Sequence, residues 1–131
     1  MVIDSSAIIA ILLDEPERAA FDRQIEADPI RLISAIGRVE AGMVIEARKG
    51  DAGRRLLDQF LHLTSAEIIA VTPEQADAAL EAFRRFGKRR HRAALNIGDC
   101  FAYAAARVTG ERLLFKGDDF THTDIPTVRP V

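Results

Sequence analysis

The sequence predicts an α/β fold, with a central and mostly parallel sheet of four to five strands flanked by helices. Short apolar runs at residues 1–4, 30–33, 67–71 and 112–115 recur along the chain, separated by stretches with helical periodicity. Strands joined through helices imply right-handed crossovers and parallel pairing. The first run is apolar at both Val2 and Ile3, which point to opposite faces of a strand, so that strand belongs in the middle of the sheet. A length of 131 residues with 48% hydrophobic content fits one domain, residues 1–131, with a substantial core.

In order along the chain, the first strand stops at Asp4, and Ser5 or Ser6 can cap a helix over 7–13. Seven apolar residues are far too few for a bilayer span, which needs roughly 20. The start also lacks the positive charge of a secretory signal, so the mature chain is expected to begin here, with no membrane association. Glu15-Pro16-Glu17 opens a second helix running to about residue 27, because proline and acids suit a first turn. Asp28-Pro29 breaks it before the strand at 30–33. Ser34 then reads as an N-cap for a helix over 35–49, with Ile36, Val39, Met43, Val44 and Ala47 at spacings of three and four and Gly50 as its stop.

A further helix fits 51–63, with Leu56, Leu57, Phe60 and Leu61 on one face. After the strand at 67–71, Thr72-Pro73-Glu74-Gln75 combines a cap, a first-position proline and a capping-box glutamine, predicting a helix to Phe86 with Gly87 ending it. Residues 88–92 form a loop or frayed end. Asn96-Ile97-Gly98-Asp99 leads into a helix over 100–108 closed by Gly110. The strand at 112–115 is followed by a turn at Gly117-Asp118-Asp119, with Thr127-Val128 as an edge strand before Pro130.

The single cysteine, Cys100, excludes an internal disulfide and points to a reducing, cytoplasmic location; it reads as a small buried residue. The formal net charge of −2 hides a segregation. Arg84, Arg85, Lys88, Arg89, Arg90 and Arg92 fall in a window without acids that carries +6, leaving −8 for the remainder. Such a window can neutralise nucleic-acid phosphates without reading sequence, or it can be an ordinary solvated face.

Three acids stand where an α/β sheet places its functional groups, at or near the C-terminal ends of strands. Asp4 ends the first strand, and Asp118 and Asp119 follow the last. Glu40 is the next candidate: it lies four residues after Ile36 and three and four before Met43 and Val44, on the apolar face of its helix. A carboxylate directed inward is costly without a cation. Asp99 stands at the start of an alanine-rich helix whose small side chains allow close approach to the sheet. Clustered carboxylates repel and raise one another's pKa, a conflict that a divalent cation removes. Taken singly, each has an ordinary role: Asp4 as a helix cap, Glu40 as a stripe-edge residue, Asp99 as a helix-dipole partner, and Asp118-Asp119 as a turn.

The pieces Val2-Ile3-Asp4-Ser5-Ser6-Ala7, Glu40, Asn96-Ile97-Gly98-Asp99-Cys100-Phe101-Ala102-Tyr103 and Leu113-Leu114-Phe115-Lys116-Gly117-Asp118-Asp119-Phe120 together resemble a PIN-domain ribonuclease of the VapC toxin type. The likeness covers essentially the whole chain. It implies a three-layer α/β/α fold, with Asp4 and Asp99 as leading metal ligands, Glu40 and Asp118 completing the acidic site, and Asp119 as an extra member; either of the last two could be the fourth acid. It also implies that Ser6 orients a ligand or water. Mg²⁺ with Mn²⁺ as substitute, endonucleolytic RNA cleavage, a homodimer, and neutralisation by a VapB-like antitoxin in a heterotetramer or larger assembly follow from the same resemblance. A non-catalytic PIN module that binds RNA or a protein partner is the alternative.

Other chemistries fail on particular absences. A haloacid-dehalogenase-type phosphatase wants a second aspartate two residues after the first, where this chain has Ser6. No G-x-G-x-x-G, Walker loop or G-x-S-x-G occurs, and His62, His91 and His122 lack metal-ligand spacing.

Overall fold

The computed structural model describes residues 1–128. Its sheet has four strands, β1 (Val2–Ile3), β2 (Leu32–Ser34), β3 (Glu67–Ile69) and β4 (Leu113–Leu114), in the order β3-β2-β1-β4. Every pairing between them is parallel. Five helices connect them: α1 (Ser5–Leu12), α2 (Arg18–Ala27), α3 (Ala35–Thr64), α4 (Pro73–Phe86) and α5 (Ile97–Thr109). Among the described residues no helix is long and apolar enough to cross a membrane.

The alternation of side chains along a strand builds two cores. Val2 and Leu113 face a cluster with Ala79, Ala82, Phe86, Tyr103 and Ala105 from α4 and α5. Their neighbours Ile3 and Leu114 face the opposite cluster, with Ile8, Phe21, Ile45 and Leu57 from α1, α2 and α3. Central β1 is therefore buried on both faces, as its sequence required. Each fully buried side chain of this kind contributes roughly 1.5–3 kcal/mol by leaving water.

Local expectations are borne out in part and corrected in part. The cap of α1 is Asp4 itself, whose side chain accepts from the Ser6 amide, so the helix begins at Ser5. The run Ala35–Thr64 is the two helices expected at 35–49 and 51–63, separated at Gly50, whose non-helical φ of 57° and ψ of −138° suit only glycine. Ser34 occupies the cap position of that run without making a side-chain cap bond. The helix α5 starts at Ile97 rather than at 100, because Asn96 and Asp99 form a reciprocal capping box. Gly87 ends α4 in an extended conformation, and Thr72 caps its start through the Gln75 amide. Thr127 makes a single parallel bridge to Leu113 in place of a strand, and Pro130 lies outside the described residues.

The largest difference is the buried face of α3. Val39, Met43 and Val44 are 57%, 67% and 42% exposed, while Ala41, Gly42 and Ile45 are buried. Across the break at Gly50 the two halves of α3 pack closely, Gly42 against Leu57 and Gly53 against the Ile45 backbone, so proximity and not side-chain bulk selected this face.

Candidate active site

At the C-terminal edge of the sheet, β1 delivers Asp4 into a nearly closed position, 6% exposed. Its Oδ2 accepts hydrogen bonds from the Ser6 amide at 3.0 Å and from Ser6 Oγ at 2.6 Å. Ser6 Oγ in turn accepts from the Lys116 amide at 2.9 Å, joining the end of β1 to the segment after β4. Burial pushes the Asp4 carboxyl upward in pKa, against the Ser6 bonds, and the charge of Asp119 pushes the same way.

Glu40 reaches the site from α3, where Ser5 Oγ donates to its Oε1 at 3.5 Å. It lies flat against the first turn of α5: a Cβ added at Gly98 would fall 2.1 Å from its Oε2. A larger residue at position 98 would displace that carboxylate from its place. Burial and the charge of Asp4 raise the Glu40 carboxyl.

Asp99 faces all of them. Its pKa is pushed up to about 6, first by burial and then by the charges of Asp4, Asp119 and Glu40, with the Asn96 amide bond opposing. One oxygen, Oδ2, closes the capping box by accepting from that amide at 3.1 Å. Of the turn after β4, Asp119 is the acid whose charge adds to both Asp4 and Asp99. Asp118 caps the short 3-10 helix Asp119–His122, its carbonyl accepting from the Thr121 amide and hydroxyl. Of the two acids left open by the sequence, Asp119 is thus the one whose charge bears on Asp4 and Asp99.

Among the described residues, no lysine or arginine forms an ion pair with Asp4, Glu40, Asp99 or Asp119. Four carboxylates that repel without an internal cation suit a hard divalent ion in the chemistry of their donors. No group of three or more of the described His, Cys, Asp or Glu residues is placed to hold a metal ion.

The PIN-domain family profile matches residues 1–126. Ribonuclease VapC30 of Mycobacterium tuberculosis is 54% identical over 128 residues, covering 98% of each chain. The chain belongs to the PIN-domain family of VapC ribonucleases. Its fold is shared with the crystal structure of VapC20 of Mycobacterium tuberculosis, described as a sarcin-ricin loop cleaving toxin (TM-score 0.79, 19% identity, 98% of each chain covered). VapBC2 from Rickettsia felis, solved on a DNA fragment from its promoter, gives the same TM-score of 0.79 at 14% identity, covering 98% of this chain and 96% of that one.

In this VapC-family chain the basic window divides. Arg84 pairs with Glu81, Arg85 with Asp124 while stacking on Phe86, and Arg90 covers the Phe83 ring. Lys88, Arg89 and Arg92 are exposed and form no ion pair among the described residues. Their loop is closed by the Lys88 amide donating to the Leu95 carbonyl and the Leu95 amide to the Phe86 carbonyl, and it leads straight into the Asn96 cap. Arg89 and Ala94 hold positive φ, 68° and 52°, in that loop. Two participants escaped the sequence. Gly98 carried a signal, a glycine inside a helix beside an acid; Lys116 carried none, because its partners Glu15 and Glu17 are a hundred residues away.

Proposed function

We propose that the chain is a single-domain, Mg²⁺- or Mn²⁺-dependent endoribonuclease toxin, with Asp4 and Asp99 as the direct ligands and Glu40 and Asp119 acting through water. The observation that carries this reading is Asp99, a carboxyl facing three others with no cationic side chain paired to the group. When bound, the metal supplies an ionised water as nucleophile and a counter-charge for the phosphate. Ser6 fixes the orientation of Asp4 by donating to Oδ2, so that carboxylate needs no reorganisation when an ion arrives. Glu40, held over Gly98, and Asp99, held by its capping box, keep the remaining oxygens in place. Lys88, Arg89 and Arg92 present positive charge at the entry to α5, where they can hold RNA phosphates.

The partner on this reading is a VapB-like antitoxin, and the assembly a homodimer that joins it in a heterotetramer or larger complex in the cytoplasm. Support comes from exposed apolar side chains on α3, α4 and α5. Val39 and Met43 of α3, Leu80 of α4 and Ile97 of α5 are all at least half exposed, and an apolar groove of about 370 Å³ lies between α4 and α5. Exposed apolar surface of this kind suits a protein segment.

The test is cleavage of RNA by the purified, antitoxin-free protein. Asp4→Asn and Asp99→Asn are expected to lower the rate by about 100-fold or more, with folding verified by circular dichroism. Cleavage by both variants at the wild-type rate would remove the acids from the chemistry. A folded wild-type protein that binds RNA and never cuts it would favour the non-catalytic module.

A further inference from the structure

Lys116 is tied at both ends. Its amide donates to Ser6 Oγ, the hydroxyl that holds Asp4. Its side chain pairs with Glu15 and, at 3.4 Å, with Glu17, both in the connection between α1 and α2. That connection is itself constrained: Asp14 adopts a φ of 54°, and the Glu15 amide donates to the Ala10 carbonyl at the end of α1. The ion-paired groups are about one-third exposed, so they are less screened than a pair standing in open water.

Immediately beyond Lys116 the chain turns through Gly117, at a φ of 100°, and presents Asp119. On the far side of Asp119 the chain is held by Phe120, which is buried and packs edge-on against Phe115 at 5.1 Å. Asp119 is therefore carried on a short span with an apolar anchor after it and an electrostatic anchor before it. The first anchor belongs to the core; the second is Lys116.

We infer that Lys116 is a positioning residue for the acid cluster, clamped by Glu15 and Glu17 so that one residue sets both Asp4, through Ser6, and the turn that carries Asp119. This rests on the reading of the acids as a cation site. It adds that the site depends on a cation–carboxylate contact outside it, between the α1–α2 connection and the β4 turn. Lys116 does not touch the ion or the RNA on this account. Its charge is consumed by Glu15 and Glu17, and its effect passes through the main chain.

Calorimetric titration of the metal-free, antitoxin-free protein with Mn²⁺ alone tests it. Lys116→Met is expected to weaken Mn²⁺ binding about 10-fold, the scale on which groups that support metal ligands act. Lys116→Arg, which keeps the charge, should stay close to wild type. The double variant Glu15→Gln/Glu17→Gln, which leaves the lysine in place but unclamped, should weaken Mn²⁺ binding as Lys116→Met does, and it carries the test if the methionine variant fails to fold. A lysine that instead contacted RNA directly would give the opposite signature: unchanged Mn²⁺ binding, with weaker RNA binding in Lys116→Met and tighter binding in the double variant. Wild-type Mn²⁺ affinity in the double variant, beside abolished affinity in Asp99→Asn, overturns the clamp and leaves the cation site standing. Undiminished Mn²⁺ binding in Asp99→Asn overturns both.

Discussion

Asp4 serves as the cap of α1 and as the deepest acid of the site at once. Its Oδ2 satisfies the Ser6 amide and hydroxyl, and the same bonds fix the carboxylate that the other acids face. The ordinary and the functional roles of this residue are the same contact seen from two sides. Asp99 repeats the pattern, since the oxygen closing its capping box belongs to a group pushed up to about 6. The effect on stability has a definite sign. In the unfolded chain the Asp99 carboxyl ionises near its ordinary value of 3.8, while in the folded protein it keeps its proton until about 6. Between those values the native state binds more protons, so the stability of the metal-free protein falls as pH rises from about 4 to about 6. Asp4 and Glu40 are raised in the same direction. Asp28 and Asp124, whose carboxyls are lowered, act only below the ordinary carboxylate range and leave this window clear. In EDTA the melting temperature is therefore expected to be higher at pH 5 than at pH 7.5. Added Mn²⁺ should raise it more at pH 7.5, because binding to the native state adds stability where protons no longer compete. Equal melting temperatures at the two pH values, with equal gains from Mn²⁺, would show that burial and mutual repulsion do not raise these carboxyls.

At the scale of elements, α5 is the hub. Its first turn carries Asp99, its Gly98 accommodates Glu40 from α3, and its cap residue receives the basic loop. The sequence placed the acid on this helix and placed the helix start three residues late, because the Asn96–Asp99 box is legible only once both side chains are seen to reciprocate. The buried face of α3 differs from expectation for another reason. Bulky apolar residues at helical spacing pointed to Val39, Met43 and Val44, whereas Ala41, Gly42 and Ile45 are buried, Gly42 against Leu57 and Ile45 against Gly53 across the break at Gly50. Glu40 belongs to the site all the same, since its partner Gly98 lies on α5. In the basic loop, Lys88, Arg89 and Arg92 make no ion pair or ring contact among the described residues, so neutralising these three to glutamine should weaken RNA binding. The slope of log K against log salt should become shallower by about 0.7 for each phosphate no longer neutralised on single-stranded RNA. Neutralising Arg84 and Arg85, already paired with Glu81 and Asp124, should change it less. An unaltered slope in the triple variant would make the loop a solvated surface.

Across the whole molecule, sheet order does what no local pattern could. The order β3-β2-β1-β4 sets the end of β4 beside the end of β1, bringing Asp119 to Asp4 across more than a hundred residues. Periodicity, proline and glycine placement, and a central strand apolar on both sides made the layers readable in advance. Contacts that depend on which ends meet were not readable. The choice between Asp118 and Asp119, the fit of Glu40 over Gly98 and the pairing of Lys116 with Glu15 and Glu17 all depend on tertiary juxtaposition. The central claim, that four carboxylates without an internal cation exist to hold a divalent ion for RNA cleavage, is tested most directly by chelation. Antitoxin-free protein incubated with RNA in EDTA should lose cleavage, and replacing the chelator with Mg²⁺ or Mn²⁺ should restore it. Cleavage that proceeds at the same rate in EDTA would contradict the account.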